Sequence, residues 1–318
     1  MSKRYGKSRQ TNPNRARSKN NPGGRRRDPR TDWPKYNEGR RAEGKRYVRW
    51  MRRIADIARE ILGIAPGTRD RRVSAMLVSI IKHEENLSYW GLIKHFDRHP
   101  SALELCELSR QYCRSWYQLR VSEIDPAVLQ RVITGMAGKD AVHGTLLADS
   151  SGFSISRYVE WHNAKYGKLS VRLFAKLHIM HTLHGMVCAA TVTPGNANDS
   201  PHLRTMIETL PEGDGDVLAD AIYGGVRNCN AIRDGGRRAI IDPKSNAVIK
   251  GFNARAEMLR FREEHPGTFY RILRLRNNVE SVFSSMKARF GGVVRALREG
   301  TQSVELLSMT ICYNMAFA

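Results

Sequence analysis

The sequence contains no run of about 18 apolar residues, so no stretch reads as a membrane-spanning helix. Cysteine is scarce, five in 318 residues, and Cys106, Cys113, Cys188, Cys229 and Cys312 follow no zinc-site spacing. They read as buried or neutral thiols in a reducing compartment, which makes the cytoplasm, in association with the nucleoid, the expected location. No apolar segment follows the basic N-terminus, so it does not read as a secretory signal. Its density of Pro, Gly and Asn also argues against the amphipathic helix of an organellar transit peptide. Acidic residues are the minority sign, 31 Asp plus Glu against 53 Lys plus Arg, for a net charge of +22. The excess is uneven, because residues 1–53 hold 19 basic and 4 acidic side chains. Such a balance favours a polyanionic partner, nucleic acid before an anionic membrane surface.

Residues 1–30 carry eleven Lys or Arg and one Asp among scattered Pro and Gly. This composition cannot bury enough apolar surface to fold alone. Residues 1–31 therefore read as a disordered basic arm, with Arg25, Arg26 and Arg27 as candidate phosphate contacts. From Asp32 to about Leu62, Tyr47, Trp50, Met51, Ile54, Ile57, Ala58 and Ile61 recur at helical spacing. That helix could pack on a core or on a partner chain. Residues 71–119 read as three short helices, the third running from Leu103 through Leu108 and Tyr112 to Leu119. Its polar face carries Arg110, Arg114 and Arg120, which suits a helix-turn-helix-type DNA reader as well as any small bundle. Residues 32–138 are thus expected to form a helical DNA-binding or dimerisation region.

After a helix around Val128–Ile133 the period becomes strand-like. An apolar run over 143–148 ends in Asp149-Ser150-Ser151-Gly152, where a turn is expected. Val171–Thr182 and Met186–Thr193 pair as a hairpin through His184-Gly185. Asn196–Asp199 reads as the cap of a helix begun by Ser200-Pro201. Val217-Leu218-Ala219 is another strand, ending in Asp220, and Ala239–Ile241 is the last. The order is that of a mixed α/β layer fold over residues 139–318. His178, His181 and His184 tempt a metal reading, but strand alternation sends the first two to opposite faces and the third lies in the turn. Ser150 and Ser151 lack the Gly-x-Ser-x-Gly elbow of a nucleophilic serine.

Two acids, Asp149 and Asp220, follow apolar strands at the same topological point, where ligands collect in α/β sheets. A third, Glu280, lies in Arg276-Asn277-Asn278-Val279-Glu280, continued to Lys287 without Gly or Pro. At about 100° per residue, Arg276 falls about 40° and Lys287 about 20° from Glu280, beside an apolar stripe containing Val282, Met286 and Phe290. Three hard carboxylates with open positions suit Mg²⁺ or Mn²⁺, and two such ions can activate an attacking oxygen and stabilise a leaving one at a phosphate.

The blocks Asp149-Ser150-Ser151-Gly152-Phe153, Leu218-Ala219-Asp220-Ala221-Ile222-Tyr223 and Arg276-x3-Glu280-x6-Lys287 resemble the three motifs of DDE transposases of prokaryotic insertion sequences. The insertion-sequence-5-like group is the nearest in pattern, and Asp32-Trp33 through Glu38 resembles its N-terminal block. Leu273 stands where these families usually have Tyr, and Ile222 where they often have Gly. The resemblance implies an RNase H-like core in which Asp149, Asp220 and Glu280 hold two Mg²⁺ (or Mn²⁺) ions. It implies that Lys287 contacts DNA phosphate near the cut and that Arg276 partners a phosphate or carboxylate. Residues 242–269 would be an insertion before the catalytic helix. Double-stranded DNA, cleaved at the element's ends and joined to a target, would be the substrate, and a homodimer the working form; the rival readings are a non-catalytic, domesticated DNA-binding protein and an RNase H-like nuclease without strand transfer.

Overall fold

The computed structural model describes residues 33–141, 143–155, 174–244 and 247–317. The chain divides into two units, residues 1–46 and 47–318. Of the first, residues 33–46 are described and are helical, as the beginning of α1 (Trp33–Leu62). The arm expected over residues 1–31 lies outside the described residues, as do 171–173 of the first hairpin strand.

Within the second unit, α1 buries Trp50, Met51, Ile54, Ala55 and Ala58, a helical stripe that faces the unit's own core. Gly63, at φ +66°, ends it in a left-handed conformation that suits glycine. Then follow α2 (Arg71–Glu84), α3 (Tyr89–Arg98), α4 (Pro100–Leu105), α5 (Arg114–Ser122) and α6 (Pro126–Ala137). The single third helix expected through Leu119 is two, α4 and α5. Glu107 takes φ +59°, and this left-handed residue breaks the apolar repeat that otherwise reads as continuous.

The sheet begins with β1 (Leu146–Ile155), β2 (Phe174–Thr182) and β3 (Val187–Pro194). It continues through α7 (Ser200–Thr209), β4 (Asp216–Ala219), α8 (Val226–Asp234) and β5 (Arg238–Ile241). The expected insertion over 242–269 contains α9 (Ala254–Glu264) and the start of α10 (Pro266–Leu273). A 3-10 segment (Arg274–Asn278), α11 (Val279–Phe290), β6 (Val293–Val294) and α12 (Glu299–Phe317) complete the chain.

Strand order is β3-β2-β1-β4-β5, with β2 antiparallel to its neighbours and β1, β4 and β5 parallel. Leu146, Leu147, Ala148, Val217, Leu218, Ala219, Ile240 and Ile241 are fully buried, the continuous apolar runs that covered parallel strands require. Helices α6 and α12 pack on β3, α7 on β2 and β3, α8 and α9 on β5, and α11 on β1. Buried α2 lies on α12, where Ser79 and Ser308 share a 2.9 Å hydroxyl contact. The helices before the sheet therefore share a core with the segments after it.

Asp149 does not end its strand, contrary to the sequence reading. β1 continues to Ile155 because β2 stays paired with it as far as Ser154. Gly152 lies inside this ladder, and a Cβ there would come within 3.0 Å of the Phe174 ring, so close cross-strand approach explains the glycine. The other edge of β1 is different. Parallel β4 stops at Ala219, and β6 joins that edge only at Ser154 and Ile155. Between them, among the described residues, the edge of β1 from Asp149 to Phe153 has no strand partner, leaving a notch that α11 overlies.

Candidate active site

The notch is built around Asp149 and Asp220. Leu146 pairs with Val217 and Leu147 with Leu218, so the parallel register carried two residues further sets Asp149 beside Asp220. Asp149 accepts the Ser150 N–H at 2.8 Å. Burial raises its pKa, and the Ser150 N–H and Arg276 pull in the opposite direction, while Asp220 and Asp199 add to the rise. Asp220 accepts the Ile222 N–H at 2.7 Å, capping the short 3-10 turn Ala221–Tyr223. Its second oxygen lies 3.7 Å from an Arg276 Nη2.

That contact revises the expected helix stripe. Arg276 belongs to the 3-10 segment, where each residue turns about 120° rather than 100°, so the even α-helical stripe does not run back to it. The guanidinium lies against Asp220, and its charge also acts on Asp149. Glu280 stands exposed in the first turn of α11. Lys287, two turns further on, donates to Ser151 Oγ at 2.7 Å, with its ammonium 5.1 Å from the centre of the Phe153 ring. Both cations of the motif thus enter the notch, one against each strand.

Other sequence candidates lie elsewhere. Arg110 stacks over Tyr112 at 5.2 Å and Arg114 over Trp90 at 5.3 Å, with Trp90 largely exposed. Arg120 pairs with Glu123 at 2.6 Å. Arg25, Arg26 and Arg27 lie outside the described residues. His178 and His181 are both buried, the first with Nε2 2.9 Å from Thr193 Oγ1, the second donating from Nδ1 to the Thr182 carbonyl at 2.7 Å. His184 is exposed in the hairpin turn.

The sequence reading takes Asn196–Asp199 as a helix cap, in a loop that the resemblance can bring near the active site, and gives Asp199 itself no role. It is the residue before α7, yet its side chain caps nothing; Asn198 accepts the Ser200 N–H instead, at 3.1 Å. Asp199 receives Lys176 Nζ at 2.6 Å and Ser150 Oγ at 2.9 Å. Burial works against its charge, but these two donors outweigh it and hold the carboxyl below its ordinary range. One residue on, Ser200 is tied to the Asp220 turn. The Asn228 amide donates to Ser200 O at 2.8 Å and to Tyr223 O at 3.0 Å. The loop before α7 therefore braces the segments following both acids. A Lys on β2 in need of a counter-ion is the only sequence signal for it, and side-chain alternation alone does not name the partner.

Asp149 and Asp220 supply the hard oxygen donors a divalent cation prefers, and among the described residues the charge that opposes the desolvation of Asp149 is that of Arg276. Among the described residues, no three His, Cys, Asp or Glu side chains gather closely enough to hold an ion, so Glu280 does not complete the set in this conformation. The pair fits the ion; a three-carboxylate cage is not formed. Among the same residues no helix is long and apolar enough to cross a membrane.

No curated protein matches the chain. A family model described as Transposase DDE domain matches residues 140–315, which takes in β1 to β6, both aspartates, Glu280 and Lys287. With more than half of its length matched, the chain belongs to the DDE transposase domain family.

Proposed function

We propose that this protein is the transposase of a prokaryotic insertion sequence of the insertion-sequence-5-like group. It binds the element's terminal inverted repeats, hydrolyses a phosphodiester at each end to free a 3′-OH, and joins that hydroxyl to target DNA. The observation that carries this reading is the parallel register of β1 and β4, which sets Asp149 beside Asp220 in a notch entered by Arg276 and Lys287. The strand order, with β2 alone running against the others, supports an RNase H-like core.

Asp149 and Asp220 are the residues that would hold Mg²⁺ or Mn²⁺, with Glu280 joining them on DNA binding through a shift at the start of α11. When bound, two such ions supply an activated attacking oxygen and a neutralised leaving oxygen. The chain does the rest by positioning. Lys287, anchored on Ser151, presents a point charge to a phosphate lying along the open edge of β1. Arg276 offsets the negative charge of the aspartate pair and would be free to partner a phosphate. Ser150, held by Asp199, fixes the backbone that carries Asp149. Residues 32–138, with Arg110 and Arg114, and the basic arm with Arg25, Arg26 and Arg27 would supply further DNA contacts, in a homodimer that holds both ends.

The test is cleavage and joining of duplexes that bear the terminal repeats flanking the reading frame. Asp149→Ala, Asp220→Ala and Glu280→Ala are each expected to lower Mg²⁺-dependent cleavage by at least a thousandfold while duplex affinity changes less than threefold, on the order of a lost transition-state contact set. Full cleavage by any one of them removes that residue from the machinery. Cut ends that are never joined to target identify a nuclease without strand transfer.

A further inference from the structure

A cavity of about 680 Å³ lies away from the notch, among the end of α2, the start of α3, one face of α5 and the segment leading from β6 into α12. Its floor is unusual. Lys82 and His83 are both more than nine-tenths buried and both line it. The Lys82 ammonium meets His83 Nε2 at 3.5 Å and the Tyr89 ring at 5.1 Å, and forms no salt bridge among the described residues. Burial lowers the pKa of Lys82, with nearby Glu305 opposing and Arg295 adding to the effect. Glu305, the acid of the cavity wall, is already engaged: its carboxylate accepts the backbone N–H of Arg295 at 3.1 Å and of Ala296 at 2.9 Å. It therefore secures the rim loop and leaves Lys82 without a close counter-ion.

The rim adds donors of the same sign. Arg295 and Arg298 are exposed there, and the first turn of α12, with Thr301 on the wall, brings the positive end of a 19-residue helix to the opening. Apolar Leu119 and Leu297, the latter 77% exposed, lie beside these cations. Clustered ammonium, guanidinium and helix N–H donors suit a tetrahedral oxyanion, and the exposed leucines suit the carbon face of a sugar. The cavity is also continuous in sequence with the catalytic helix. Glu280 and Phe290 span about 15 Å of helix, and Arg295 follows after β6.

We propose that this cavity is a phosphodiester-binding site for the sugar–phosphate backbone of DNA, with Lys82 at its floor and Arg295 and Arg298 at its rim. The site rests on the reading of the chain as a DNA-binding transposase. It anchors the duplex at a distance from the acid pair, so it contributes affinity without contributing to bond cleavage.

The experiment uses the full chain and a 30-base-pair duplex of arbitrary sequence, with binding followed by fluorescence anisotropy across salt concentrations. Lys82→Met is expected to weaken binding about tenfold at about 0.1 M salt and to reduce the log Kd against log salt slope by about one. Arg298→Ala, at an exposed position, should shift both in the same direction and keeps the test decisive should Lys82→Met fold poorly. Wild-type affinity and slope in the folded variants overturn the proposal. Inorganic phosphate, added separately, identifies the ligand's source. A phosphate-dependent rise in Tm that Lys82→Met abolishes, with duplex affinity unchanged, shows a site for a free oxyanion and overturns the DNA assignment. Lowered affinity in these variants beside undiminished cleavage by Asp149→Ala leaves the cavity's role standing and removes the catalytic reading.

Discussion

Asp199 shows how one side chain can serve two acids it does not touch. It takes Lys176 from β2 and Ser150 from β1, and its neighbour Ser200 is bound to the Asn228 amide that also holds Tyr223, three residues past Asp220. Both Asp199 and Lys176 are mostly buried, at 13% and 21% side-chain exposure, so solvent screens the pair only in part. Asp199→Ala leaves the Lys176 ammonium without its carboxylate and should cost about 1–2 kcal/mol of stability. Asp199→Asn keeps an acceptor for Ser150 and should lose less. The pH sign follows from the depressed carboxyl. Its contribution is fully present above the unfolded pKa and disappears as pH falls through the lower folded value. Urea melts of wild type and Asp199→Asn should therefore differ at pH 7 and converge towards pH 3. An undiminished gap at acid pH sinks the electrostatic account. In cleavage assays Asp199→Ala should lower kcat more than it alters KM, because it loosens the Asp149 backbone and touches no DNA.

At the level of elements, the sequence was most legible where one periodicity met one terminator. Helix α1 ends at Leu62 as Gly63 requires, and β4 and β5 are the short apolar runs that a covered parallel sheet needs. The acid pair was legible for the same reason, since each aspartate follows such a run. What escaped was set by tertiary pairing. Nothing in Asp149–Gly152 reveals that β2 carries the strand on to Ser154, and Arg274–Asn278 gives no local sign that it winds as 3-10 helix. The β6 pair Val293-Val294 is too short for any pattern, yet it fixes the far side of the notch. Helix α11 is also fastened from outside the sheet. Arg289 on α11 pairs with Glu84 at the end of α2, and burial raises the Glu84 pKa despite the guanidinium. The pair is therefore asymmetric. Arg289→Ala strands a buried carboxylate and should cost about 1–2 kcal/mol, discounted for the partly exposed arginine end. Glu84→Gln removes the charge that needs a partner and should be nearly neutral, and the double variant should recover most of the loss. Equal penalties for both single variants in urea titrations contradict this assignment.

For the whole molecule, charge and fold are divided along the chain. The family match covers residues 140–315, whereas residues 1–53 hold 19 of the 53 basic side chains. The remaining 265 residues carry a net charge of +7, the balance of the +22. With a net charge of only +7 on the other 265 residues, most of the counterion release that dominates non-specific DNA affinity should come from the basic N-terminal segment, beside the smaller share assigned to the Lys82 cavity. Residues 1–30 offer eleven cations, and engagement of about half of them would add about five to the magnitude of the log Kd against log salt slope. Removing residues 1–31 should take away that much slope and weaken duplex binding by two or more orders of magnitude at about 0.05 M salt. The loss should shrink steadily as salt rises, because the contribution is electrostatic. Thermal stability should hold, since a segment with so little apolar surface has little to bury. Cleavage at saturating DNA should hold as well, because the notch draws its residues from β1, the turn after β4 and α11. A truncated chain that binds with unchanged slope would move the polyanion contact onto the folded surface, where the Lys82 cavity and the Arg110 and Arg114 stacks are the places left to carry it.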